Sequence, residues 1–300
     1  MIATFHWNDW SLESLLVAKR ARGHVVSLVV PARNEAATVG DVVSRVRVPL
    51  MDTAQLIDEI VVIDSDSTDD TFEVAEDAGA LVHRSAEIRP DLGTYPGKGE
   101  AMWKSLFVTK GDLIVFMDAD LTDWDTHFVP GLLGPLLTSD ASLVKGFYER
   151  PFTAGAESLP YEGGRVTELV ARPLIALNFP ELAGLVQPLA GEWAIRRSLL
   201  ASLQMPTGYA VELTALIDTS RDRGLEAIAQ VNLGRRAHRH QALRDLGAMA
   251  TQILAAAQRR LGGSFESPVA LAQYEHSGDD VAVVKREIPV VERDPAVTWC

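Results

Sequence analysis

The chemistry-bearing residues of this chain gather at the ends of apolar runs. Asp118-Ala119-Asp120 follows directly on Leu113-Ile114-Val115-Phe116-Met117. Two carboxylates one residue apart, at a strand end, can hold a divalent cation between protein and a diphosphate. The plain alternative is a polar strand end that caps a helix, and an Asp-x-Asp tripeptide alone does not decide. Two further clusters tip the balance. Ile60-Val61-Val62-Ile63 leads into Asp64-Ser65-Asp66, three residues that could hydrogen-bond a base or a ribose, and the run ending at Val30 leads into Pro31-Ala32-Arg33-Asn34-Glu35. The next residues, Ser67-Thr68-Asp69-Asp70, have capping-box spacing from Ser67 to Asp70 and read as a helix cap.

Other candidates carry positive charge. Pro96-Gly97-Lys98-Gly99 reads as a flexible loop that presents one cation. Lysine there can reach a phosphate as a point charge, although the spacing of a P-loop is absent and a solvated loop lysine is the alternative. Gly163-Gly164-Arg165-Val166-Thr167 opens a helical pattern, so backbone N–H groups, a hydroxyl and a guanidinium meet in a local anion site rather than an ordinary helix start. Arg235-Arg236-Ala237-His238-Arg239-His240 is the densest basic patch. On an extended segment His238 and His240 share a side, and one of them could complete a metal site begun by Asp120. The alternative is a basic loop facing solvent. Cys300 stands alone at the last position, with no partner to make it a nucleophile.

These residues need a scaffold. The chain has 300 residues, 47% of them hydrophobic and 23% charged, enough for a large core. Its 28 Lys+Arg against 41 Asp+Glu give a net charge of -13, which argues against nucleic acid as a partner. A phosphate ligand therefore needs a local device. One cysteine excludes an intrachain disulfide and fits a reducing compartment. No apolar run is long enough to span a bilayer, and the basic residues Lys19, Arg20 and Arg22 follow the first apolar stretch, the reverse of a signal peptide. The expectation is a cytoplasmic protein with no membrane partner. Short β-branched runs alternate with helical spacing, which predicts βαβ units and a mainly parallel sheet. Ligands of such sheets bind beyond the strand C-terminal ends, so the three acidic or polar clusters should face one crevice. Residues 1–24 read as an N-terminal helical segment outside the main fold, 25–150 and 151–262 as the two halves of the domain, and 263–300 as an extended or mobile arm.

The ordered set Val29-Val30-Pro31-Ala32-Arg33-Asn34-Glu35, Val62-Ile63-Asp64-Ser65-Asp66-Ser67-Thr68-Asp69-Asp70-Thr71 and Met117-Asp118-Ala119-Asp120-Leu121 resembles the GT-A glycosyltransferases. Pro96-Gly97-Lys98-Gly99-Glu100-Ala101, Gly163 to Thr167, Gln187-Pro188-Leu189-Ala190-Gly191-Glu192 and Arg236-Ala237-His238-Arg239 look specifically like the bacterial glucosyl-3-phosphoglycerate synthases, over about residues 24–262. The resemblance implies an α/β GT-A fold: a Rossmann-like, mainly parallel sheet flanked by helices, with a helical acceptor-binding half. It implies transfer of glucose from UDP-glucose to the 2-hydroxyl of 3-phosphoglycerate with retention, a divalent metal (Mg2+, with Mn2+ also accepted), a homodimer, and a product that feeds glucosylglycerate and methylglucose polysaccharide. By similarity, Pro31, Ala32, Arg33, Asn34, Glu35, Ser65, Lys98, Asp118, Ala119, Asp120, Tyr209 and Glu212 bind the nucleotide sugar, with Lys98, Asp118 and Glu212 catalytic. Gly164, Arg165, Val166 and Thr167 hold the acceptor, and Asp120 and His238 hold the metal. The competing readings are a mannosylglycerate-type synthase, a polyprenyl-phosphate glycosyltransferase and a non-catalytic nucleotide-binding regulator.

Overall fold

The computed structural model describes residues 1–149, 152–154, 157–159, 164–235, 242–277 and 280–299. In chain order the elements are β1 (Ala3–His6), α1 (Leu12–Arg22), β2 (Val26–Ala32), α2 (Val39–Val46), β3 (Glu59–Asp64), α3 (Thr71–Asp77), β4 (Leu81–Arg84), α4 (Lys98–Ser105), β5 (Leu113–Phe116) and α5 (Phe128–Thr138). There follow β6 (Leu143–Glu149), the short pair β7 (Phe152–Ala154) and β8 (Glu157–Leu159), α6 (Arg172–Asn178), β9 (Trp193–Arg196), α7 (Arg197–Ser202), β10 (Met205–Pro206) and α8 (Val211–Arg223). The chain ends with β11 (Ile228–Arg235), α9 (Leu243–Arg260), β12 (Val269–Ser277), β13 (Asp280–Ile288) and β14 (Glu292–Arg293).

Eight strands form one sheet in the order β1-β11-β6-β9-β5-β2-β3-β4. All neighbours are parallel except β9, which runs antiparallel between β5 and β6. The central strands are continuous apolar runs because both faces of the sheet are covered. Alternate residues serve opposite layers. Val29, Val61, Ile114 and Phe116 pack with Trp103, Leu174, Trp193 and Leu216 on one face. Leu28, Val30, Val62 and Val115 pack with Val42, Val43, Phe128 and Leu132 on the other.

Both termini depart from the sequence expectation. Residues 3–6 are not part of a helical segment outside the fold: β1 adds to the sheet edge, pairing in parallel with Ala229 to Asn232. Four residues suffice for an edge strand, and so short a run has no periodicity to read. The helix that follows it, α1, is capped by Ser11, whose hydroxyl accepts from the Ser14 N–H at 3.1 Å, and it buries Leu15 completely.

The expected arm is folded structure. β12 and β13 make an antiparallel hairpin from Val269↔Ile288 to Ser277↔Asp280. The return then lies along the core, where β14 pairs with β10 through Met205↔Arg293 and Pro206↔Glu292. Arg260 ties this return to α8, its guanidinium 2.7 Å from Glu292 and 2.8 Å from Asp218. No helix among the described residues is long and apolar enough to cross a membrane.

Candidate active site

The C-terminal ends of β2, β3 and β5 open into one cleft of about 710 Å3. Pro31, Ala32, Arg33 and Glu35 line it from β2, Ser65 from β3, and Asp118, Ala119 and Asp120 from β5. The far wall carries Gly164, Arg165, Val166, Thr167, Tyr209 and Glu212. Lys98 lies between the two walls. Strands and helices widely separated in sequence thus bring most of the anticipated site residues to one opening.

Asn34 is the exception, because it builds the wall instead of lining it. Its backbone is left-handed, with φ 57°. Its N–H donates to Ser67 Oγ at 2.9 Å, and its Oδ1 accepts from the Thr68 N–H at 2.8 Å. The Glu35 N–H donates to Thr71 Oγ1 at 2.8 Å, and the Ala36 N–H to Asp69 Oδ2 at 3.2 Å. Ser67 therefore does not act as the expected capping-box residue, since its hydroxyl accepts from the β2 loop, whereas Asp69 serves both sides: Oδ2 accepts from the Ala36 N–H and Oδ1 from the Thr71 N–H at 3.2 Å, at the start of α3. Hydrogen bonding by the Thr71 hydroxyl holds the Asp69 carboxyl below the usual carboxylate range. Asp64 is completely buried: Oδ1 accepts from the Ser67 N–H at 3.3 Å, and Oδ2 has no hydrogen-bond partner.

Lys98 also departs from expectation, for it is the first residue of α4 and not part of a flexible loop. Two glycines make this possible. Gly97, at φ 133°, would place a Cβ 2.3 Å from the Thr207 carbonyl oxygen, and Gly99 would place one 1.9 Å from that of Pro206. Only glycine lets the helix start dock there. The docking is sealed by the Gly99 N–H to the Gly208 carbonyl at 3.2 Å and the Glu100 N–H to the Thr207 carbonyl at 2.9 Å.

The Lys98 ammonium sits 2.6 Å from Asp118 Oδ1 and 2.8 Å from Glu212 Oε1. Burial works to lower its affinity for the proton, but the two carboxylates overcome that and hold it above the ordinary lysine range. It stays cationic at any working pH. An ammonium has three donors, and the two carboxylates use two of them. Asp118 is in turn crowded by Gly191, where a Cβ would come 2.1 Å from Oδ2.

Beneath this cluster lies Lys145 of β6, fully buried, donating to the Ala190 carbonyl and 5.5 Å from the Trp193 ring centre. Burial pushes its pKa down to about 8, against the opposing pull of Glu212 and Glu192. The folded value lies below the ordinary lysine value of about 10.4, so the unfolded chain binds the proton more tightly. The resulting destabilisation is complete below pH 8 and fades as the pH rises towards 10. Between those limits wild type should gain melting temperature relative to Lys145→Met. Parallel melting curves for the two proteins from pH 7 to 10 would contradict the assignment.

Sequence reading missed the outer wall: Met249, Gln252 and Ile253 of α9, and Arg286 and Ile288 of the hairpin. Gln252 holds the Tyr209 N–H at 3.0 Å and the Pro289 carbonyl at 3.0 Å. Nothing local marks these residues, since they reach the cleft only through the tertiary fold. His238 and Gly163 lie outside the described residues. Among those described, no three ligating side chains form a cluster that could hold a metal.

A mainly parallel sheet whose acidic strand ends face Arg165, Thr167, Tyr209 and Glu212 across one cleft, with Lys98 between, defines a nucleotide-sugar transferase of the GT-A fold. The chain belongs to glycosyl transferase family 2, whose model matches residues 27–204. It is 47% identical to glucosyl-3-phosphoglycerate synthase of Mycolicibacterium smegmatis over 97% of this chain and 95% of that protein. The enzyme of the same name from Petrotoga mobilis is 40% identical over 98% of this chain and 93% of its own. Among solved structures, glucosyl-3-phosphoglycerate synthase of Mycobacterium tuberculosis in complex with Mn2+, UDP and glucosyl-3-phosphoglycerate superposes with TM-score 0.89, at 44% identity and full coverage of both chains. The same enzyme with Mn2+, UDP-glucose and phosphoglyceric acid gives TM-score 0.88 at 44% identity, covering 100% of this chain and 99% of that one.

Proposed function

We propose that this chain transfers the glucosyl group of UDP-glucose to the 2-hydroxyl of 3-phosphoglycerate, releasing UDP and retaining the anomeric configuration. The observation that carries the reading is the meeting of Lys98, Asp118 and Glu212 at the centre of a cleft whose two walls differ in chemistry. The strand-end wall suits a nucleotide diphosphate. The opposite wall offers Arg165 and Thr167 at a helix start, a site for a small acceptor bearing two negative charges. The ligands of the Mycobacterium tuberculosis structures support the same pairing of donor and acceptor.

The residues present fit a divalent cation. Asp120 puts a hard oxygen donor on the cleft wall, two residues beyond the carboxylate bound to Lys98. Mg2+ and Mn2+ are held by one or two carboxylates and complete their shell with substrate phosphates and water. Asp120 would hold the ion, with His238 as its second protein ligand. A bound cation supplies charge neutralisation at the departing diphosphate.

The protein's own groups position the reaction. Lys98 presents its third N–H to the donor while Asp118 and Glu212 fix the ammonium. Glu212, tied to Lys98, orients sugar and acceptor instead of attacking the anomeric carbon. The bond from C1 to the β-phosphate oxygen breaks, the bond from C1 to O2 of the acceptor forms, and the acceptor proton passes to the released phosphate. The single cysteine suits the cytoplasmic setting that belongs to this reading.

The test is UDP release from UDP-glucose and Mg2+, with and without 3-phosphoglycerate, and NMR of the product. An α-glucosyl product formed only with acceptor is expected. Preference for GDP-mannose, or for a neutral acceptor, would overturn the reading.

A further inference from the structure

The return of the C-terminal hairpin passes behind the cleft and ends in a buried arginine. Arg293 donates to both oxygens of Glu100, from Nε at 2.9 Å and from Nη2 at 2.6 Å. The pair is shut away from solvent, with Glu100 1% and Arg293 9% exposed. The same guanidinium donates to the Leu92 carbonyl at 2.8 Å and the Gly93 carbonyl at 3.0 Å. It stacks between Tyr95 and Trp103, at 4.5 and 4.8 Å from the ring centres. Lys104, also buried, donates to the Gly93 carbonyl from the other side at 2.8 Å. The Tyr95 N–H reaches Glu100 Oε1 at 3.3 Å.

These contacts hold the residues that flank Lys98 in sequence, not Lys98 itself. Glu100 lies two residues beyond Lys98 in the first turn of α4, and Leu92 to Tyr95 is the segment that enters that turn. The short strand bearing Arg293 also pairs with Met205 and Pro206, and the Thr207 N–H donates to the Val291 carbonyl at 3.0 Å. One strand therefore grips both partners of the Gly97–Gly99 docking: the helix start that carries Lys98 and the 205–208 segment that leads to Tyr209 and Glu212. A bidentate, charge-assisted fork fixes orientation as well as distance.

We propose that Arg293 is a positioning residue for the transfer: through Glu100 and the 92–95 segment it sets Lys98 at bonding distance from Asp118 and Glu212. The proposal rests on the reading of Lys98 as part of the donor site.

The experiment is a double-mutant cycle. Arg293→Met should lower kcat about 30-fold, with the acceptor KM changed less than about three-fold. In a Lys98→Met background the same substitution should cost less than about two-fold, because the group it positions is gone. Arg293→Lys, which keeps the charge but not the fork, should recover part of the loss. If Arg293→Met does not fold, the isosteric Glu100→Gln takes its place in the cycle. Equal losses in both backgrounds would overturn the proposal. Hydrogen exchange reads the same device without turnover. Amides in peptides spanning 92–101 should exchange at least about ten-fold faster in the variant, while those of α2 stay as in wild type. Unchanged exchange at 92–101 would equally overturn it. A wild-type protein inactive on UDP-glucose and 3-phosphoglycerate would remove the transferase reading, and exchange at 92–101 would still decide whether Arg293 holds the segment that carries Lys98.

Discussion

Replacing Lys98 with Met should lower kcat/KM by about 1000-fold, roughly 4 kcal/mol of transition-state stabilisation. The expectation follows from what the ammonium touches. It is the shared partner of Asp118 and Glu212, both within 3 Å and both largely buried. Taking it away removes one donor aimed into the cleft and leaves two carboxylates facing each other without a counter-charge. Breaking a buried ion pair at one end costs about 3–5 kcal/mol of stability, so the melting temperature should fall as well. The two losses are read separately, stability from melting and transition-state stabilisation from UDP release. Lys98→Arg keeps the charge, but its planar fork cannot satisfy two carboxylates placed for a point charge. Melting curves and UDP-release rates for the three proteins check this. A Lys98→Met protein within ten-fold of wild-type kcat/KM would show that the lysine is structural only.

The same residue shows where sequence reading stops. The strand ends of the site were legible: uninterrupted β-branched runs mark strands buried on both faces, and the polar residues that close them have one place to go. Asp118, Asp120 and Ser65 reach the cleft for that reason. Lys98 was legible as a cation near the site, but its setting was not. A lysine between two glycines reads as a loop, and only the carbonyls of Pro206 and Thr207 explain why the glycines are there. Asn34 was placed in the right loop with the wrong task. Its left-handed backbone and its bonds to Ser67 and Thr68 are features that residue type alone does not give.

The C-terminal tail was the least legible part. Residues 276–300 are polar and mixed in charge, which reads as an extended or mobile arm. Yet Arg293 finds its partner 193 residues back along the chain, and Glu292 finds Arg260. A charge reads as exposed when its partner is not in view, and pairings at such separation belong to the tertiary fold. The first four-residue strand escaped for a different reason, since it is too short for any pattern and is fixed only by its pairing with β11.

The second large effect belongs to Asp120. Asp120→Asn keeps the shape and removes the charge, and kcat/KM should fall by at least about 1000-fold in Mg2+. The reason is the composition of the cleft. A chain of net charge -13 must bind a diphosphate next to its own strand-end carboxylates. Lys98 offers one positive charge, and that charge is already matched by Asp118 and Glu212. Arg33 adds a further cation on the same wall, and in the proposed reading the rest of the balance for the diphosphate comes from a divalent cation held by Asp120, a hard oxygen donor on that wall. Binding separates this from a general defect. In calorimetric titrations the affinity of wild type for UDP should rise at least about ten-fold on adding Mg2+ or Mn2+, and fall back when the ion is chelated. The Asp120→Asn protein should bind UDP weakly with or without the ion. Metal-stimulated binding that survives the substitution would place the ion elsewhere, and with it the charge balance on which the whole cleft depends.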